Sequence, residues 1–216
     1  VGQLATSSKM QSGGTVSGKL TGTIDTSALN RTVVFNTNAG EVTVDLETCS
    51  TTQELAQKLS DSGISTSVDD KTGKLVITGD GICVSSKSTG LGMKMLGVSA
   101  GSKTVDGKLT TTADPDAEAT ISVSLDGVSH MITLDGMKDA TDMTAYLQNK
   151  LDFEFGSGAI TVNVDASNNM SMTTGEGREI VLSGDKTTFK LFGIEDGQSN
   201  KIALGQQLQD VGFANS

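Results

Sequence analysis

A chain of 216 residues is long enough for two small domains, each with its own core. Its net charge of −10 argues against nucleic acid, which demands a basic footprint, and against anionic membrane surfaces. Aromatics are 3% and Trp is absent, so the cores must be built from Val, Ile, Leu and Met. Twenty-six Gly, one Pro and abundant Ser and Thr suit a turn-rich β protein. No apolar run approaches the ~18 residues of a membrane span, and no basic-then-apolar signal peptide opens the chain. Val1 is not a natural start, and the chain reads as an excised piece.

Residues 1–12 carry too little periodicity to fix a structure, and 13–30 read as an extended or hairpin-like connection because Gly13, Gly14, Gly18 and Gly22 make a helix costly. From Thr32 the pattern sharpens. Val33 and Phe35, then Val42, Val44 and Leu46 after the turn Asn36–Gly40, alternate with polar residues as half-buried strands do. Ser50 with Gln53, or Thr51 with Glu54, forms a capping box for a helix that aligns Leu55, Ala56 and Leu59 on one face. Gly63 stands where a left-handed cap is needed. Strands are expected at Ile64–Val68, Leu75–Thr78 and Ile82–Ser85, and the unit closes on Leu96-Gly97-Val98.

The unit occurs twice. Val33, Phe35, Val42 and Val44 are matched by Val123, Leu125, Ile132 and Leu134; Leu55 and Leu59 by Leu147 and Leu151; Ile64 and Val68 by Ile160 and Val164. Val84 answers to Ile180, and the closing triplet to Phe192-Gly193-Ile194. A period this long is a tandem of domains, since solenoid repeats run nearer ~20–50 residues. In the second copy Asp126-Gly127 marks a hairpin, a helix is expected from about Thr141 to Leu151, and Phe153–Gly158 forms the helix-to-strand turn. Strands follow at Ile160–Val164, Met170–Thr173 and Glu179–Leu182, and the tail Lys201–Phe213 suits a strand and a short helix.

The predicted fold class is therefore α+β, rich in β: two tandem small modules, each an antiparallel sheet with one helix packed on it. The expected division is an extended lead-in over residues 1–30, a first module over 31–105, a linker over 106–119, a second module over 120–200 and a return segment over 201–216.

Reactive constellations are missing from the sequence. His130 is the single histidine, and a lone strand histidine reads as a partly exposed polar residue. No GxGxxG or phosphate loop occurs; Gly79, Gly81, Gly90, Gly92 and Gly97 read as turn glycines where no helix begins. Asp114–Glu118 lacks the ligand spacing of a calcium loop. Cys49 and Cys83 could be bridged or could be two small thiols; the second module has no counterpart of either. No catalytic, cofactor-binding or metal-ligating residue is assigned, no cofactor is expected, and an enzyme is disfavoured for want of any nucleophile–base pair.

Three stretches resemble one family. Thr51-Thr52-Gln53-Glu54-Leu55-Ala56-Gln57-Lys58-Leu59, then Gly63-Ile64-Ser65-Thr66-Ser67-Val68-Asp69 and Gly73-Lys74-Leu75-Val76-Ile77-Thr78, are similar to the hook IN motif of flagellins, hook-associated proteins and filament caps. The opening Val1-Gly2-Gln3-Leu4-Ala5 with Ser12 resembles a segment of the filament-cap (hook-associated protein 2) family, and Phe192-Gly193-Ile194 with Gly197–Ile202 resembles the exit from that family's repeated module. The family's long terminal helices have no counterpart here. The resemblance implies a structural, non-enzymatic protein at the tip of the bacterial flagellum, exported through the flagellar channel and promoting flagellin assembly. Its implied partners are its own copies, in a ring, and flagellin, with no nucleic acid and no membrane; a distal position would favour adhesion to a host surface or mucin. The variable outer domain of a flagellin or other hook-associated protein, and an adhesin-like host-binding module, stay open beside it.

Overall fold

The computed structural model describes residues 18–134, 140–175 and 177–200, apart from the side chains of 140 and 141. The expectations for the opening segment and for the tail Lys201–Phe213 fall outside them. The described chain begins with a strand, β1 (Leu20–Thr23), and a 3-10 turn at Thr26–Leu29. Asp25 caps that turn, its carboxylate accepting the Ser27 amide at 3.0 Å.

The first module then runs through β2 (Thr32–Thr37), β3 (Gly40–Asp45), α1 (Thr52–Asp61), β4 (Thr66–Val68), β5 (Leu75–Thr78), β6 (Cys83–Val84), α2 (Gly90–Leu96) and β7 (Lys108–Thr111). The second repeats the order as β8 (Thr120–Leu125), β9 (Val128–Thr133), α3 (Ala140–Phe155), β10 (Ile160–Val164), β11 (Asn169–Thr174), β12 (Ile180–Gly184), α4 (Lys186–Phe192) and β13 (Gln198–Ser199). The α+β class holds. Each module divides its strands between two small antiparallel sheets and adds a second short helix to the one expected. The sheets are β3-β2-β6 and β4-β5-β7 in the first, and β13-β12-β8-β9 and β10-β11-β1 in the second.

Local chemistry explains the elements that periodicity marked. Thr51 Oγ1 accepts the Glu54 amide at 3.1 Å while the Glu54 carboxylate accepts the Ser50 amide at 2.7 Å, a reciprocal cap that starts α1. Gly63, at φ +89°, ends it. Leu55 and Leu59 enter a core with Val33, Phe35, Val44, Leu46, Leu75 and Ile77, all buried. The second core gathers Ile121, Val123, Leu147, Leu151, Ile160, Met172, Leu182 and Phe192. Each fully buried aliphatic contributes roughly 1.5–3 kcal/mol, so these two clusters are what aliphatic side chains alone must supply.

The helices α2 and α4 were not expected, because Gly90 and Gly92 in one and Thr187 and Thr188 in the other are poor helix formers. Tertiary packing overrides propensity. A β-carbon at Gly92 would lie 2.7 Å from the Thr32 carbonyl oxygen, so only glycine lets α2 approach β2. Thr89 Oγ1 caps α2 by accepting the Gly92 amide at 3.2 Å, and Asp185 caps α4 by accepting the Thr188 amide at 3.0 Å. The triplets taken as closing the repeat are the ends of these helices: Gly97 and Gly193 are left-handed C-caps with φ +63° and +59°.

Residues 106–119, expected as a linker, contain β7, which pairs with β5 so that Leu109 faces Ile77 and Thr111 faces Leu75. The stretch expected as a lead-in does the same for the second module. β1 pairs with β11, Leu20 opposite Met172 and Gly22 opposite Met170. The equivalence extends past the strands. The Asp114 amide bonds the Met95 carbonyl and the Ala117 amide the Asp114 carbonyl; the Asp25 amide bonds the Leu191 carbonyl and the Ala28 amide the Asp25 carbonyl. Segment 20–28 is thus to the second module what 109–117 is to the first, and the first module is inserted into the second.

Candidate functional site

His130 lies on β9, and its Nδ1 stands 2.7 Å from a carboxylate oxygen of Glu154. Its ring meets Phe155 edge-on, with centroids 4.9 Å apart. The residue staples the sheet edge to the C-terminal turn of α3, which runs on through the expected turn residues to Phe155. Both cysteines are free: Cys49 is buried and Cys83 half-buried in β6. Burial pushes the Cys49 thiol up, which keeps it protonated and unreactive.

Of the acidic stretch after β7, Glu118 is engaged in structure. Glu118 stands 3.3 Å from Arg31 at the crossing between modules, and its backbone carbonyl accepts Lys94 Nζ at 2.7 Å. Among the described residues no group of three or more His, Cys, Asp or Glu could hold a metal ion. Of the glycines that read as turn residues, Gly79, Gly81 and Gly97 take positive φ, whereas Gly90 and Gly92 lie in α2.

Side-chain geometry adds clasps that no sequence motif marked. Asp126, at the β8–β9 hairpin, accepts the Glu179 amide at 2.9 Å and Arg178 Nε at 2.8 Å, and the amide with the guanidinium holds its carboxyl below the usual carboxylate range. Asp69 and Asp165 open equivalent turns. Asp69 is lowered by the Thr72 hydroxyl, then by the Thr72 and Lys71 amides; Asp165 by the Asn169 carboxamide, then by the Asn169 and Ser167 amides. Asp25 is lowered by hydrogen bonds from Ser27 and by Lys190 at 3.7 Å. Gln148 covers the edge of β10, donating to the Ile160 carbonyl at 2.9 Å and accepting the Val162 amide at 2.8 Å.

Where the modules meet, α2 and α4 touch through Gly90 and Thr187, and a side chain at Gly90 would collide with the Thr187 hydroxyl. Beside this contact lies an open cleft of about 430 Å³, whose lining includes Lys87, Lys186, Lys190, Ser88 and Met93. Lys87 and Lys190 are committed elsewhere, to Glu41 at 2.6 Å and Asp25 at 3.7 Å. The cleft lies along the seam between the modules.

The geometry defines a class of molecule: two copies of one α+β module, the first an insertion in the second, joined through two short helices. No protein-family model matches the chain, and no curated protein does. Among solved structures it is similar to the flagellar cap protein FliD from Helicobacter pylori, at 14% identity over 83% of this chain and 56% of that one. The TM-score is 0.26, and a likeness of that size carries no argument for fold or function. Among the described residues no helix is long and apolar enough to cross a membrane.

Proposed function

We propose that this chain is part of a structural component of the bacterial flagellum, the head region of the distal filament cap, which promotes flagellin assembly without catalysing a reaction. One observation carries the reading. The segment that resembles the hook IN motif, Thr51 to Thr78, folds as a capped helix, a strand, a turn and a strand, and the order helix, strand, turn, strand recurs over α3, β10 and β11. Two aliphatic cores bearing Ser- and Thr-rich surfaces make a stiff exposed body, and the free thiols require no oxidation step after export. In this reading the parent protein is extracellular, its partners are its own copies and flagellin, and it takes no cofactor.

Gold-labelled antibody raised against this chain tests the proposal on intact flagellated cells of its source. Label confined to the distal filament tip is expected. Label along the whole filament would replace the proposal with a flagellin outer domain. Label on the cell body would replace it with an adhesin.

A further inference from the structure

The two modules treat the same sheet edge differently. The Leu46 amide bonds the Arg31 carbonyl at 2.8 Å, and the Leu134 amide bonds the Ala119 carbonyl at 2.8 Å, so among the described residues β3 and β9 are equivalent edge strands in equivalent register. The alternation of an antiparallel ladder then turns the backbone groups of Glu41, Thr43 and Asp45 outward on β3, and of Ser129, Met131 and Thr133 outward on β9, where the Thr133 carbonyl accepts the Tyr146 hydroxyl at 2.8 Å and keeps its second lone pair. On β3 two of the three are carboxylates, the charged guard that keeps open edges from pairing. On β9 both are replaced by hydroxyls, and Thr43 is replaced by Met131, which is 72% exposed.

The surroundings reinforce the contrast. Val128 at the start of β9 and Phe153 on α3 are exposed apolar residues, Phe153 at 83%. Asp126, at the hairpin before β9, is paired with Arg178 as Glu41 on β3 is with Lys87, and Glu154 meets His130. A chain of net charge −10 resists the approach of a second copy over most of its surface. β9 itself carries no carboxylate, so pairing with its own image sets no acidic side chain of the strand opposite another.

We propose that β9 is a self-pairing edge, at which two copies of this chain join antiparallel strands. Pairing centred on Met131 sets Ser129 opposite the second copy's Thr133, extends the sheet β13-β12-β8-β9 across the two-fold axis and places both α3 helices on one face. Phe153 and Val128 then flank the seam. The strand is short and the contact small beside the ~1,200 Å² of a stable complex, so the dimer is weak. This inference does not depend on the flagellar reading.

Sedimentation of the whole chain from low micromolar to millimolar concentration tests it, with amide hydrogen exchange as the site-specific readout. A monomer–dimer equilibrium is expected, with the Ser129 and Met131 amides protected only at high concentration. Met131→Lys, at an exposed position that leaves the fold intact, is expected to weaken association by about tenfold or more. Replacing the guards on the other edge, Glu41→Ser with Asp45→Thr, is expected to create a second pairing edge and species larger than dimers. A chain that stays monomeric throughout, or a dimer unmoved by Met131→Lys with the β9 amides unprotected, would overturn the proposal.

Discussion

Gly193 lies against the backbone of Thr23: a β-carbon there would fall 2.6 Å from the Thr23 carbonyl oxygen and 2.7 Å from its nitrogen. Gly97 stands in the same relation to Thr112. Each glycine ends a short helix in the left-handed conformation and lets the last strand of its module pass underneath. One packing solution is used twice, once with a strand that follows the module and once with a strand that precedes everything else described.

Alanine at either glycine meets both a positive φ and a backbone collision. Gly97→Ala is expected to destabilise the first module and Gly193→Ala the second, each by about 2–4 kcal/mol. Denaturant unfolding followed by module-specific amide signals checks this. Equal loss in both modules from one substitution would mean that they unfold as a single unit.

Leu20 is fully buried in the second core although that module's other strands begin at Thr120. Leu20→Ala is expected to cost about 2–4 kcal/mol, felt in the second module and not in the first. Its counterpart Leu109 is only partly buried and should cost less. Hydrogen exchange at β11 reads the difference directly.

The sequence carried the hairpins, the capping box of α1 and the inward faces of both repeats, because period-2 alternation and cap chemistry are local. It paired the repeats two residues out of register at their first strands: the matched Leu46 and Leu134 amides set Phe35 against Val123, where the pattern set it against Leu125. A slip of two keeps every side chain on its face, so hydrophobicity alone could not detect it. β1 and β7 carry no apolar alternation, each burying one residue, Leu20 and Thr111, and their partners lie far along the chain. The helices α2 and α4 were hidden by glycine and threonine, whose reason is a contact visible only in three dimensions. The clasp of Asp126 by Arg178 was equally non-local.

Four aspartates, at 25, 69, 126 and 165, are held below the usual carboxylate range by hydrogen bonds, with a cation added at 25, 69 and 126. A lowered folded-state value means the unfolded chain binds protons first as pH falls. Their stabilisation is therefore present above about pH 4 and is lost as pH drops through the folded values. Melting temperature is expected to be flat near neutrality and to fall below about pH 4. Asp165→Asn should flatten part of that decline without abolishing the turn, because its carboxamide oxygen can still accept the Ser167 amide; an unchanged acid profile would remove Asp165 from this account.

The thiols give an independent check on burial. In native protein Cys83 is expected to react with an alkylating reagent well before Cys49, which is buried and holds its proton more tightly. Both should react at once in denaturant without prior reduction. A requirement for reductant would mean that the two are bridged.

The central claim is that the segment before the first module belongs to the second. Isotope-labelled chain from residue 119 onward, titrated with a peptide of residues 18–31, tests it most directly. The account predicts a poorly dispersed amide spectrum for the fragment alone and a dispersed, folded one after peptide is added. A fragment that folds unaided and ignores the peptide would contradict it.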